Sequence, residues 1–442
     1  MGTTLNDTPS ADRTHIAFFG RMNSGKSSLV NALAGQEISI VSDVSGTTTD
    51  PVKKAMEIHG IGPCVLIDTA GFDDAGDLGD RRVMLARKAA QQADLAVMVI
   101  SDQCGCDFTY EKLWIDLLHR RDTPVIIAVN KMREDKDAQM SVETAGIEKD
   151  MQICAEEARI DKKMQISAEA VGTEKDTQLL AEKIEALFQK QPLIVNALTG
   201  DGVSRLKAEL VNAAPKAEAE RFITGSLLCA QDIVMLVMPQ DIQAPKGRLI
   251  LPQVQTLREI LDKKCTAICT TTDQMETALA ALRQPPKLII TDSQAYKTVY
   301  EKKPQASRLT SFSTLFAAYK GDIHYFVKGA HVIDTLTSRD KVLIAECCTH
   351  APLDEDIGRE KLPRLLRKKA GEGLRVDIVS GMDFPQDLSE YRLIIQCGAC
   401  MFNRKYVMSR VEAAKAQNIP MTNYGVAIAH INGILGNIEL TG

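Results

Sequence analysis

The feature that most restricts the fold of this sequence is a glycine-rich turn between an apolar stretch and a helical pattern. The segment HIAFFGRMNSGKSSLVNAL contains Gly20, Gly25, Lys26 and Ser27 in the spacing G-x-x-x-x-G-K-[ST]. The glycines allow backbone N–H groups to wrap phosphates, the lysine neutralises phosphate charge, and the serine hydroxyl is a ligand for Mg²⁺. The order of strand, loop and helix therefore predicts a P-loop.

Further polar residues follow later apolar runs in the order that a P-loop domain requires. VLIDTAG provides Asp68 to hold Mg²⁺ through water and the N–H of Gly71 to contact a γ-phosphate. SGTTTD provides Thr48 as a second Mg²⁺ ligand beside Ser27, and PVIIAVNK ends where a base-binding loop belongs. The residues predicted to act on the phosphate are Lys26, Thr48 and Gly71, and those predicted to bind nucleotide are Asn23, Ser24, Gly25, Lys26, Ser27, Ser28, Asp68, Asn130 and Lys131.

Strand-like and helical patterns alternate along most of the 442-residue chain, which predicts an α/β protein with several domains. We predict a P-loop domain with a doubly wound parallel sheet at 12–214, a small α/β module at 224–305 and a third α/β domain at 307–442. Residues 134–190 form an insert with three copies of a 13-residue repeat, IEKDMQICAEEAR, IDKKMQISAEAVG and TEKDTQLLAEKIE. No chemistry is assigned to the insert.

Composition argues against two classes of partner. The net charge is −5, and no basic block of the kind that follows a phosphate backbone is present. No signal peptide is recognisable, and no apolar run approaches the roughly 20 residues of a membrane span. We therefore predict a cytoplasmic protein that binds neither nucleic acid nor membrane.

The eleven cysteines divide into isolated and close-set residues. Cys64, Cys229, Cys265 and Cys269 stand singly in apolar segments, so they are predicted to be small buried side chains.

Close-set cysteines follow two separate apolar runs. KVLIAECCTH ends in Cys347, Cys348 and His350, and YRLIIQCGAC ends in Cys397 and Cys400. Strand ends at one edge of a parallel sheet lie together, so Cys348, Cys397 and Cys400 are predicted to converge, with His350 close by. Three readings are open: a closed zinc site of Cys348, His350, Cys397 and Cys400, an iron–sulfur cluster on three cysteines with one iron left exchangeable, or reduced thiols without metal.

The N-terminal motifs resemble the TrmE–Era type of GTPase over residues 12–214. This resemblance implies binding of GTP and Mg²⁺. Asn23 stands where potassium-stimulated members carry a cation-binding asparagine, and the alternative is an ordinary polar loop residue. Phe72 follows DTAG in place of the glutamine that positions water in Ras-like enzymes, so hydrolysis is expected to be slow and stimulated by K⁺.

The guanine-reading position departs from that family. Arg133 occupies the place of the aspartate in N-K-x-D, and its guanidinium has hydrogen-bond donors only. Either Asp135 or Glu134 takes over this role, or discrimination of guanine is weak.

The whole order of motifs resembles the HydF family of [FeFe]-hydrogenase maturation GTPases, apart from the repeat insert. The resemblance rests on C-x-H and, about fifty residues later, C-x-x-C, downstream of a GTPase and a module containing APKGRLILPQVQ. It implies a homodimer and a [4Fe–4S] cluster on Cys348, Cys397 and Cys400. It also implies a di-iron precursor as cargo, with apo-hydrogenase and radical-SAM maturases as partners.

Gln396 stands where most HydF members have a histidine. The fourth iron position is then His350, another residue, water or the cargo. Two alternatives remain for the whole chain: a GTPase of RNA or ribosome maturation with a structural zinc domain, and a scaffold whose nucleotide site is vestigial.

Overall fold

The structure is a computed structural model that describes residues 10–35, 52–72, 77–105, 107–132, 174–215, 221–240, 249–347, 357–399 and 402–441. The chain forms two compact units, one of Arg13–Lys216 and one of Met1–Asp12 with Ala217–Gly442. Several predicted site residues and most of the repeat insert lie outside the described residues. These site residues are Thr48, Arg133, Cys348, His350 and Cys400.

The unit Arg13–Lys216 contains one six-stranded sheet in the order β2-β3-β1-β4-β5-β6, in which only β2 is antiparallel. Its strands are Thr14–Phe19 (β1), Val52–Ile58 (β2), Gly62–Asp68 (β3), Leu95–Ser101 (β4), Val125–Asn130 (β5) and Leu193–Val195 (β6). The described helices are Lys26–Ala34 (α1), Asp77–Gln92 (α2), Thr109–His119 (α3), Glu174–Phe188 (α4) and Val203–Ala213 (α5). Strands β1, β4 and β5 are almost wholly buried, as parallel strands covered on both faces are. The predicted doubly wound α/β fold is confirmed.

The C-terminal unit contains two parallel four-stranded sheets. The first has the order β10-β9-β7-β8, with strands Ile233–Val237 (β7), Thr266–Thr270 (β8), Leu288–Thr291 (β9) and Arg308–Ser311 (β10). The second has the order β12-β11-β13-β14, with strands Lys341–Ala345 (β11), Arg375–Val379 (β12), Leu393–Gln396 (β13) and Met421–Asn423 (β14). Strand β10 lies beyond residue 305, where the sequence placed the end of the middle module.

Helices connect the strands of both C-terminal sheets. They are Leu251–Asp262 (α6), Met275–Ala280 (α7), Tyr296–Lys302 (α8), Phe312–Lys320 (α9), Ile323–Ala330 (α10), Leu362–Ala370 (α11), Arg404–Ala416 (α12) and Tyr424–Ile431 (α13). Met235 and Ile289 of the first sheet share one hydrophobic cluster with Leu343 and Ile394 of the second. The two C-terminal domains predicted from the sequence therefore form one compact unit with a common core.

The order of the last sheet determines where a ligand can bind. From β11 the chain passes to β12 on one side, and it then crosses to β13 and β14 on the other. In open α/β sheets the crevice outside the strand ends at such a reversal is the usual ligand site. Ala345 of β11 lies opposite Gln396 of β13, so the cysteine segments that follow these strands begin side by side.

Burial of the isolated cysteines follows the position of their strands. Cys64 and Cys265 are buried as predicted, but Cys229 and Cys269 are exposed. The prediction was wrong for Cys269 because β8 is an edge strand with exposed positions, which an apolar run in the sequence does not reveal. Among the described helices, none combines the length and the apolar character that a bilayer crossing requires.

Candidate functional site

The P-loop connects β1 to α1 and encloses a buried lysine. Lys26 is only 6% exposed, and its Nζ donates to the carbonyl oxygens of Gly20, at 3.1 Å, and Arg21, at 2.7 Å. These carbonyl groups are uncharged partners, and an ammonium group bonds more strongly to an anion. The curved loop therefore holds a positive charge where phosphate oxygens can become its partners.

Close contacts leave room only for glycine at three predicted positions of this site. A Cβ on Gly25 would lie 2.0 Å from Nδ2 of Asn130, and the backbone at Gly25 has a positive φ of 86°. Cβ atoms on Gly20 and Gly71 would lie 2.3 Å and 2.5 Å from backbone atoms. No side chain fits at these distances, so the predicted glycines shape the loop.

The predicted Mg²⁺ ligands meet at the ends of neighbouring strands. Ser27 Oγ donates to Asp68 Oδ2 at 2.6 Å, whereas Asp68 Oδ1 is buried without a hydrogen-bond partner. Burial raises the pKa of Asp68, and the Ser27 hydrogen bond and the Lys26 charge lower it in part. An unsatisfied carboxylate oxygen beside a hydroxyl fits a hard divalent cation, so the residues present are suited to Mg²⁺.

The base-binding loop is fixed to the P-loop by one amide side chain. Asn130 is buried, its Nδ2 donates to the carbonyl oxygen of Ser24 at 3.2 Å, and its Oδ1 accepts from the N–H of Ala197 at 3.1 Å. The N–H of Lys131 donates to the carbonyl oxygen of Val195 at 2.8 Å. Asn130 thus joins the predicted phosphate and base sites into one structure.

Three further predicted positions differ in their exposure. Phe72 is 2% exposed and stacks on Trp114, with ring centroids 5.5 Å apart, so its side chain packs in the core and cannot position water. Asn23 and Ser28 are exposed on the P-loop and α1, and Asn23 has a positive φ of 59°. These two side chains are accessible to a ligand or a cation.

The two cysteine segments meet at the reversal point of the last sheet. Cys397 Sγ accepts hydrogen bonds from the backbone N–H groups of Cys347, at 3.0 Å, and Ala399, at 3.4 Å. Its pKa is raised well above the usual value by a hydrogen bond with the Cys347 thiol and by burial, while the two backbone donors lower it in part. The thiol is therefore protonated without metal, and metal binding would release this proton. Backbone donors aimed at the sulfur suit a ligating thiolate, so this donor set fits iron or zinc.

Gln396 is fully occupied by neighbouring groups. The side chain has no solvent exposure, its Nε2 donates to Cys347 Sγ at 2.9 Å, and its Oε1 accepts from Arg410 Nη1 at 2.9 Å. Both ends of the amide are engaged. Gln396 is therefore placed to support the sulfur site from the protein interior rather than to ligate iron.

Sequence analysis missed a lysine that holds the loop of the second cysteine segment. Lys320 is 2% exposed, and its Nζ donates to the carbonyl oxygens of Ala399 and Phe402, each at 3.1 Å. In the sequence, Ala399 and Phe402 flank the predicted ligand Cys400. The one available signal was a charged residue ending the otherwise apolar helix FSTLFAAYK.

Three family models match successive parts of the chain. Residues 15–131 match a family described as 50S ribosome-binding GTPase. Residues 223–321 match the hydrogen maturase F dimerization domain, and residues 324–438 match the hydrogen maturase F tetramerization domain.

Individual relatives cover the N-terminal region. The tRNA modification GTPase MnmE of Synechococcus sp. (strain JA-3-3Ab) is 40% identical over 117 residues, which are 26% of this chain and 25% of that protein. The GTPase Der of Wolinella succinogenes is 39% identical over 147 residues, which are 31% of this chain and 30% of that protein. The chain thus spans less than a third of the length of these two relatives.

Solved structures show a more distant likeness. Era in complex with MgGDPNP and nucleotides of 16S ribosomal RNA gives a TM-score of 0.33 at 17% identity, covering 58% of this chain and 93% of that chain. The G domain of the FeoB transporter of T. maritima gives a TM-score of 0.29 at 20% identity, covering 46% of this chain and 99% of that chain.

Proposed function

The chain belongs to the hydrogen maturase F (HydF) family, and we propose that it is a GTP-hydrolysing scaffold that binds a [4Fe–4S] cluster and delivers a di-iron precursor to apo-[FeFe]-hydrogenase. One observation carries the proposal: the N–H of Cys347 lies 3.0 Å from Cys397 Sγ, although the residues are fifty positions apart. This contact brings the ends of β11 and β13 together at one edge of a parallel sheet, and it supports the proposal because Cys348 and Cys400 follow these ends closely in the sequence.

Each nucleotide-site residue has a defined task in this proposal. Lys26 binds the β- and γ-phosphates, Ser27 and Thr48 bind Mg²⁺ directly, and Asp68 binds it through water. The N–H of Gly71 contacts the γ-phosphate. When bound, Mg²⁺ neutralises phosphate charge during hydrolysis. Because Phe72 packs against Trp114, no side chain at that position orients water, and slow hydrolysis is expected.

Cys348, Cys397 and Cys400 are the proposed ligands of the cluster. When bound, the cluster supplies an iron with an exchangeable position that cargo can occupy. Because both ends of the Gln396 amide are engaged, that position is left to His350, another residue, water or the cargo.

The oligomeric state and the partners are proposed from the matching family models. The domain models named for dimerization and tetramerization support a homo-oligomer, and we propose that the dimer is its basic unit. Apo-hydrogenase and radical-SAM maturases are the proposed partners, in the cytoplasm.

Metal analysis of protein purified without oxygen tests the carrier proposal. We expect iron and sulfide, a brown colour, and an EPR signal after reduction. Zinc without iron or sulfide would contradict the proposal. That result would favour a GTPase of RNA or ribosome maturation with a structural zinc domain.

Potassium dependence tests the role of Asn23. GTP turnover in KCl should exceed that in NaCl of equal ionic strength by about tenfold, which corresponds to about 1.4 kcal/mol of barrier height. Asn23→Ala should remove this difference because the exposed side chain would no longer ligate the cation. Asn212→Ala, an exposed asparagine on α5, is the matched control and should keep the difference. Equal GTP turnover of the wild type in both salts would contradict the proposal that K⁺ stimulates hydrolysis.

A further inference from the structure

Arg410 on α12 is a buried cation next to the cysteine site. Its guanidinium is almost completely buried, with 2% exposure. Nη1 donates to Cys347 Sγ at 3.4 Å and to Gln396 Oε1 at 2.9 Å. Nη2 donates to the carbonyl oxygen of Gly381 at 2.6 Å and to Tyr406 Oη at 2.9 Å.

Arg410 forms no ion pair within the described residues, although its partner Tyr406 has a pKa raised by burial and, more weakly, by the charges of Cys347 and Asp383. The guanidinium lies 4.9 Å from the ring centroid of Phe384 and 4.7 Å from that of Tyr406, and Nε is buried without a hydrogen-bond partner. Arginine does not lose its charge in proteins, and burying a charge without an ion-pair partner is costly. The two rings offset only part of this cost.

A purely structural role does not account for the charge. The carbonyl of Gly381 and the amide of Gln396 need a hydrogen-bond donor, and a neutral glutamine could supply one. A negative charge close to Arg410 in the working protein would favour its buried charged form.

The negative group that fits is the thiolate-ligated cluster of the proposed function, on which this inference rests. Gln396 Nε2 lies 2.9 Å from Cys347 Sγ and 3.8 Å from Cys397 Sγ. Arg410 therefore reaches the proposed ligand Cys397 through one amide side chain. Such a cluster is an anion, and it gains further negative charge on reduction.

We propose that Arg410 is the fixed counter-charge of the iron–sulfur site and that it raises the reduction potential of the cluster through Gln396 and Cys347. It is a positioning residue rather than a ligand. A nearby positive charge and a hydrogen bond toward the sulfurs favour the reduced state, since reduction adds one electron to an already negative group.

The test compares midpoint potentials of reconstituted variants. Wild type, Arg410→Gln, Arg410→Lys and Gln396→Met are loaded with iron and sulfide, titrated with dithionite, and followed by the EPR signal of the reduced cluster. At the midpoint potential of the wild type, Arg410→Gln should show at least a tenfold lower ratio of reduced to oxidised cluster. This corresponds to a midpoint potential lower by about 59 mV for one electron. Arg410→Lys keeps the charge and should shift less. Lys415→Gln, a loss of charge at an exposed position of the same helix, should leave the midpoint unchanged.

Each outcome decides between the alternatives. A wild-type midpoint in Arg410→Gln overturns the inference. If this variant does not bind iron, the midpoint potentials of Arg410→Lys and Gln396→Met test the inference instead. A lower midpoint potential in Gln396→Met supports the inference. Wild-type midpoint potentials in both variants overturn it. If the wild type itself binds no iron, the proposed function has failed and the inference falls with it.

Discussion

Cys397→Ser should lower cluster occupancy by more than tenfold after anaerobic reconstitution, measured as iron and sulfide per chain and as EPR signal after reduction. The variant replaces one of three proposed thiolate ligands with a hydroxyl, which binds iron of a cluster poorly. Loss of a group that merely supports a ligand already costs about 10–100-fold in metal affinity. Loss of the ligand itself should therefore cost at least as much.

Serine is a suitable replacement because it keeps the local hydrogen bonds. The N–H groups of Cys347 and Ala399, which donate to the sulfur, can donate to the hydroxyl oxygen instead. Cys269→Ser, at an exposed position of an edge strand, is the matched control and should retain full occupancy. Unchanged iron and sulfide in Cys397→Ser would rule out Cys397 as a ligand.

Gly25→Ala should weaken GTP binding at least a hundredfold, about 2.7 kcal/mol, in a titration monitored by calorimetry. The new Cβ would lie 2.0 Å from Asn130 Nδ2, so the amide must move. Asn130 connects the P-loop to the loop after β6 through Ser24 and Ala197. Its displacement therefore disturbs the phosphate and base sites together.

Gly35→Ala separates this steric effect from backbone strain. Gly35 follows the same helix, has a positive φ of 67°, and nothing lies within 4 Å of an added Cβ. Both variants place alanine in the left-handed region, at a cost of about 1–2 kcal/mol of stability. Urea unfolding should thus show this strain cost in both variants and a further loss in Gly25→Ala from the displaced Asn130, while Gly35→Ala keeps wild-type GTP affinity. If Gly25→Ala bound GTP as tightly as Gly35→Ala, the glycine would have no steric role in the site.

Local sequence spacing was sufficient for much of the nucleotide site. Lys26, Ser27 and Asp68 were predicted, and they meet at the ends of β1 and β3 because parallel strands place their carboxyl ends at one edge. The same rule predicted that the cysteine segments after β11 and β13 would converge. The structure brings Cys347 and Cys397 together, whereas the ligand set of Cys348, Cys397 and Cys400 stays a prediction.

Side chains from distant elements could not be assigned in this way. Arg410 has the sequence context of an ordinary charged helix residue, and the one signal for burial of Lys320 is the apolar helix that it ends. Their partners are Gln396 and Gly381 for the first and Ala399 and Phe402 for the second, all far away along the chain.

The amino-acid sequence by itself determined the α/β class, the P-loop and the positions of the cysteines at strand ends, because these depend on periodicity and on spacing between neighbours. Tertiary packing decided that the middle and last sheets share one core, that Cys269 lies on an exposed edge, and that Gln396 faces Arg410. These outcomes depend on which elements pack together, and the burial of a charge depends on contacts that no single segment contains.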